Sequence, residues 1–423
     1  MTTERFSRRR MLGCTGLAAF AQPQGGAKLS ADIRQITFGP RHHFFGYIGH
    51  VRTIPWNRSG RYIVALRTSF QDRMPKPGEA AEIVLLDTAG DYSVKAVEQT
   101  RAWNFQQGTM LYWNPQSPET QFFFNDRDPE THKVFAVLFD TSKGRRVAEY
   151  KFPETPFGNS GVAHSGGYFL GINYGRLARL RPVTGYPGAY DWTKGVNHPD
   201  NDGLFMVDTA TKQAKLIVSF RQLRDALRAS HPSAEDIALF LNHTLWNRDG
   251  DRIFLYARGN FDAPRERQVD VPFTVNPEGA NLTPQGLDIG GHPEWEFGHR
   301  MIGANQGRQI LYDTDRREVV GTLGDGTILP SPGGDVALSP DGRFFVNGFR
   351  RDGLDYYAIL RRADSAYVHT RGFDVRPWTG GDLRCDPSPC WNRDGTQILF
   401  PAIADDPGKT RQLFLIRLSG SAT

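Results

Sequence analysis

One short hairpin is written into this chain repeatedly, and a chain built that way can fold into few things. Trp56-Asn57-Arg58-Ser59-Gly60, Trp246-Asn247-Arg248-Asp249-Gly250 and Trp391-Asn392-Arg393-Asp394-Gly395 share one pattern, and Leu338-Ser339-Pro340-Asp341-Gly342 varies it. Looser copies start at Trp113, Ala163 and Trp295. Each reads as the end of a strand, a tight turn on Asp-Gly or its equivalent, and a β-branched or aromatic strand. A second signal alternates with the first: strands that close on Asp-Thr at Asp87-Thr88, Asp140-Thr141, Asp208-Thr209 and Asp313-Thr314, with weaker equivalents from Val271, Tyr356 and Gln412. Seven copies of each signal predict an all-β chain, a seven-bladed β-propeller. Two packed β-sandwiches would leave the shared turn unexplained.

Repetition also accounts for the length. A single core rarely serves more than ~250–300 residues, and this chain has 423. The propeller is expected over 28–423, with the N-terminal strand near Ile33–Phe38 closing the last blade, because an open ring would leave strand edges unpaired. The longest gap between hairpins, Ala163 to Trp246, holds two insertions. One is a Tyr/Arg/Pro-rich loop at about 174–202. The other, at about 221–241, carries Leu223, Leu227, Ile237 and Leu241 at helical spacing and is expected as a short surface helix.

Residues 1–21 read differently. Arg8-Arg9-Arg10 precedes a short apolar run that ends in Ala19-Phe20-Ala21, a signal-peptide pattern with an A-x-A cleavage site. The order Ser-Arg-Arg-Arg-Met-Leu resembles a bacterial twin-arginine signal, which implies a periplasmic or secreted protein. The run is too short to span a bilayer, so no membrane span is expected in the mature chain. Cys14 precedes the apolar run, so no lipid anchor is expected. The segment carries Arg5, Arg8, Arg9 and Arg10 against Glu4, which leaves 47 basic and 45 acidic residues and reduces the formal charge from +5 to +2. With the remaining basic residues scattered, nucleic acid is excluded as the expected partner. Cys385 and Cys390 remain, spaced for either a local disulfide or a weak metal motif.

Alignment of the hairpins turns sequence into geometry. The position three residues before each copy should line the centre of the ring: Thr53, Met110, Ser160, His243, His292, Asp335 and Ser388. Imidazole and carboxylate on three consecutive repeats suit a divalent metal held by His243, His292 and Asp335, an acid–base set, or hydrogen bonds that tie blades together. His50 and His164 lie close to inner-strand positions. Asn125-Asp126-Arg127 and Asn173-Tyr174-Gly175-Arg176 put polar clusters where strands turn into loops, read either as capping turns or as carboxylate binders, since arginine forks onto a carboxylate. Trp103-Asn104-Phe105-Gln106-Gln107-Gly108 adds amides and aromatics to an inner strand.

The stretch Arg101–Gly108, the entries Asn242-His243 and Gly291-His292-Pro293, and the segment Asp382–Gly395 resemble seven-bladed propellers of the oligogalacturonate-lyase and ulvan-lyase kind; the chain is also similar to TolB-type repeat proteins. The resemblance covers most of the mature chain. It implies β-elimination on an acidic oligosaccharide containing uronic acid, with Mn or Zn as a divalent metal at His243, His292 and Asp335. Tyr174, His243 and His292 are then the catalytic candidates, and Arg127, Arg176 and Asn125 the substrate-binding ones. Asp335 and Ser388 depart from the pattern, for they stand where relatives often carry histidine. The TolB-type resemblance implies instead a non-catalytic propeller that binds a protein or glycan. A serine hydrolase has no support, because no G-x-S-x-G elbow occurs.

Overall fold

A computed structural model describes residues 28–46 and 53–420. The leader-like segment 1–21 and His50 lie outside the described residues. What is described is an all-β propeller with few helices. Five separate four-stranded antiparallel sheets are present where seven were expected, together with one nine-stranded sheet. That larger sheet holds two antiparallel runs, one from Gly290–Trp295 out to Glu318–Leu323, the other from Asp335–Leu338 out to Tyr367–His369. A single parallel pairing, His292 with Asp335, joins them.

The ring closes as the edge argument requires. Ser30–Gln35 pairs antiparallel with the C-terminal strand Arg411–Ser419, register Ser30 to Ser419, and completes the sheet that ends in Cys390–Trp391. The strands read as near-continuous apolar runs, for instance Ile63–Leu66 and Ile83–Leu86, because both faces of a blade are covered by its neighbours; the side chains named here are buried.

The repeated hairpin has a physical explanation in two parts. Its tryptophan is a bolt between sheets. Trp113 Nε1 donates to the Pro55 carbonyl at 2.6 Å, Trp295 Nε1 to Leu245 at 2.9 Å, and Trp391 Nε1 to Ala337 at 3.0 Å. Each acceptor immediately precedes the hairpin of the sheet before. Trp246 makes the same link to Gly161 at 3.2 Å. The asparagine closes its own turn: Asn247 Oδ1 accepts from the amides of Gly250, Asp251 and Arg252, each at 3.0 Å. Gly250 takes φ +76, a left-handed conformation that L side chains rarely adopt.

The insertions differ from expectation in detail. Helix α1 (Tyr174–Leu180) opens the first, capped by Asn173, whose side chain accepts from Arg176 N. Helix α2 (Phe220–Leu227) is shorter than its apolar spacing suggested. A Ser219/Gln222 capping box starts it, and Pro232 begins a separate 3-10 turn. Leu241 lies in the next strand, Phe240–Trp246, not on a helix. Among the described residues no helix is long and apolar enough to cross a membrane. Cys385 and Cys390 are buried free thiols, so the local disulfide is not formed.

Candidate functional site

Four consecutive members of the aligned column meet. The rings of His243 and His292 lie 5.0 Å apart between centroids. His292 Nδ1 contacts Asp335 Oδ1 in a short hydrogen bond, and Ser388 N donates to Asp335 Oδ2 at 2.8 Å. Next in the column, the Thr244 hydroxyl donates to Ser160 Oγ at 2.7 Å. The inner strands do not run straight through these positions. Register shifts between Asn242 and Leu245 and between Gly290 and Glu294 mark bulges. Met110, His243 and Ser388 take positive φ of 56°, 56° and 40°. Bulges re-aim side chains, and here the same irregularity recurs at the same column position in three sheets.

The electrostatics of this cluster separate two carboxyls. Burial alone would raise the Asp335 carboxyl, but His292 beside it, by charge and hydrogen bond, holds it below the ordinary range. Asp386, two residues before Ser388, moves the other way: burial and then the negative charge of Asp335 push it upward. Gln106 Nε2 donates to Asp386 Oδ2 at 2.7 Å, and Arg384 Nε donates to Oδ1 at 3.0 Å. Gln107 Nε2 donates to Asn242 Oδ1 at 3.1 Å, so the 103–108 segment reaches across to the sheet that carries His243.

A cavity of about 710 Å³, within the size range of small-molecule sites, is lined by Gly291, the chain neighbour of His292, and by Tyr256, the ring neighbour of His243. Gly290 and Gly291, just before His292, and Gly333, two residues before Asp335, form part of its wall. Tyr256, Arg258 and Phe261 also line it. The Tyr256 ring stands edge-on to His243 at 6.0 Å, and Arg258 stacks over Tyr256 at 4.1 Å while paired with Asp270 at 2.7 Å.

The other sequence-selected residues are placed elsewhere and bonded into the fold. Tyr174 is fully buried, stacked on Tyr186 at 4.2 Å, and its hydroxyl donates to Asn159 O at 2.9 Å; burial raises it well above the ordinary tyrosine value. Arg176 is 1% exposed and donates to Leu239 O, Thr193 Oγ1, Val196 O and Asn197 O. Burial lowers its guanidinium to about 10. Arg127 donates to Pro187 O at 2.6 Å. Asn125 holds Asn159 through both its amide and its carbonyl oxygen. These four fasten the 174–202 insertion and neighbouring strands; the structure does not direct them at the histidine cluster. Asp386, Arg384 and Gln106 are the residues the aligned column missed. The signal was present, since Asp386 lies one strand period before Ser388.

Among the described residues, no group of three or more His, Cys, Asp or Glu side chains could hold a metal ion. The reason is visible at Asp335, whose two oxygens already receive His292 and Ser388. His292 and Asp335 form a hydrogen-bonded pair with the His243 ring packed against His292, an arrangement that does not fit a metal centre.

No protein-family model matches the chain, and no curated protein matches it. Among solved structures, the β-propeller domain of Cps50 (Swd1) from Myceliophteria thermophila is similar at 12% identity, covering 92% of this chain and 100% of that one, with a TM-score of 0.47. TolB from Acinetobacter baumannii is similar at 12% identity over 93% and 97%, TM-score 0.40. The β-propeller domain of the Trilobed protease from Pyrococcus furiosus is similar at 14% over 74% and 76%, TM-score 0.37.

Proposed function

We propose that this chain is an exported propeller that cleaves uronic-acid-containing oligosaccharides by β-elimination, with His292 as the base. The observation that carries the reading is the His292–Asp335 pair. Asp335 is buried and anchored by Ser388 N, and the side chain of His292 keeps 24% of its surface open. A carboxylate on Nδ1 fixes the tautomer in which Nε2 is the basic nitrogen. In the reaction, Nε2 takes the proton on the carbon α to the uronate carboxylate. The electron pair forms the new C=C bond as the neighbouring C–O bond breaks, and the departing oxygen takes a proton from His243. Arg384 sits beside the carboxyl pair and is the cation suited to the uronate. Phe261 in the wall of the cavity offers an aromatic ring for a sugar. No step passes through a metal.

Two structural readings belong to the same proposal. We read the nine-stranded sheet as two blades whose inner strands share one β-bridge, His292 with Asp335, and a side-chain link from Glu294 to Leu338 N; on that reading the ring has seven blades. Segment 1–21 serves as a twin-arginine leader to the periplasm or exterior.

The test is ultraviolet absorbance of unsaturated uronate on a panel of uronate oligosaccharides, with chelator present. Product with the wild type and a fall of ~10²–10⁴ in His292→Gln support the reading. No product on any member overturns it. Binding without turnover then favours the non-catalytic glycan-binding alternative, for which the densely hydrogen-bonded centre also speaks.

A further inference from the structure

The Trp-Asn-Arg hairpin occurs three times, so its arginine can be compared with itself. Arg248 donates to Pro340 O at 2.8 Å, and its guanidinium lies over Phe297 at 4.9 Å. Arg393 donates to Asn57 O and Trp56 O, both at 3.0 Å, and ties the last sheet to the first. Arg58 is the exception. It is exposed, and among the described residues its side chain makes no hydrogen bond or ion pair. It faces a cavity of about 430 Å³ at the ring closure, shared with Arg393, Arg417, Tyr92, Gln397 and Asp394.

Arg417 is the second guanidinium there without a side-chain partner among the described residues, although Asp32 is its cross-strand neighbour. Nearby, Arg61 is paired with Asp87 and Arg34 with Asp91. The acidic groups near the cavity take hydrogen bonds from neutral donors. Asp394 accepts from Thr396 N and Oγ1, and Glu119 accepts from Ser59 N, Ser59 Oγ and Asn57 Nδ2. Three guanidiniums therefore converge on one polar cavity with a single carboxylate in its wall.

We infer that this cavity is an oxyanion site for a sulfate or phosphate group, free or carried as an ester. A tetrahedral oxyanion offers acceptors to several guanidinium forks at once. Arg393, already fixed by two carbonyls, supplies a preorganised wall, while Arg58 and Arg417 close on the anion. The hairpin turns follow the inner strands and the His/Asp column precedes them, so the site lies at the opposite strand ends from His292 and is independent of the proposed chemistry.

The experiment is isothermal titration of the full chain at low ionic strength with inorganic sulfate, inorganic phosphate and, as control, chloride. A sulfated oligosaccharide and its desulfated counterpart form the second pair of arms. Saturable binding of sulfate or phosphate, weakened roughly tenfold or more in Arg58→Gln/Arg417→Gln and unchanged in His292→Gln, is expected. Tighter binding of the sulfated oligosaccharide than of free sulfate identifies an ester ligand; the reverse identifies the free ion. Both substituted arginines are exposed, so the double variant should fold, and its circular dichroism checks this. Equal response to chloride, or unchanged affinity in the folded double variant, overturns the inference.

Discussion

Replacing Trp295 with phenylalanine isolates one of the bolts between sheets. Trp295 is fully buried, and its indole donates to Leu245 O at 2.9 Å. Phenylalanine keeps an apolar ring against Phe254 but removes the donor and part of the volume. The buried Leu245 carbonyl then loses its indole partner, at a cost of about 1–3 kcal/mol. The void left by the smaller ring adds on the order of 1 kcal/mol. The expected loss is thus about 2–4 kcal/mol, read from urea unfolding followed by circular dichroism with the slope held equal to that of the wild type. Because a propeller sheet touches mainly its neighbours, the loss should appear first as increased hydrogen exchange in 243–246 and 292–302. A folded Trp295→Phe within 0.5 kcal/mol of wild type would refute the bolt as a source of stability.

Arg176→Met should cost about 3 kcal/mol or more, because the buried acceptors Leu239 O and Thr193 Oγ1 lose their partner along with Val196 O and Asn197 O; thermal unfolding measures it, and a stable variant with only a raised KM would place Arg176 in substrate binding instead. Burial, opposed by Arg248, raises Glu294 to about 8 from an ordinary value near 4.5. The folded state therefore holds that proton more tightly, and its stabilising contribution is full below about 4.5 and lost as pH rises to about 8. Glu294→Gln should flatten the fall in stability across that window, and an unchanged pH profile would count against the assignment.

The fold was legible because its instructions repeat. Trp113, Trp295 and Trp391 recur for the inter-sheet bond, and Asn57, Asn247 and Asn392 for the turn. Number of sheets was less legible, since the pairing of His292 with Asp335 merges two runs that sequence spacing separates. The column correctly brought His243, His292, Asp335 and Ser388 together, because a periodic strand position is a geometric statement. Tyr174, Arg176, Arg127 and Asn125 were chosen on residue type at strand ends. Type does not distinguish a group aimed at a ligand from one that anchors an insertion through backbone carbonyls. Helix α1 was likewise hidden, for a Tyr/Arg/Pro-rich stretch carries little helical periodicity, and only the Asn173 cap marks its start.

The central claim is that Asp335 positions His292 as a base without a metal. Turnover of the most responsive uronate oligosaccharide by Asp335→Asn, with and without chelator, tests it most directly. The amide can keep the hydrogen bond while offering the wrong tautomer. A fall of ~10²–10⁴ in turnover with KM little changed, near-ultraviolet circular dichroism retained and no effect of chelator is the predicted result. Turnover within threefold of wild type, or activity abolished by chelator in the wild type, would contradict it.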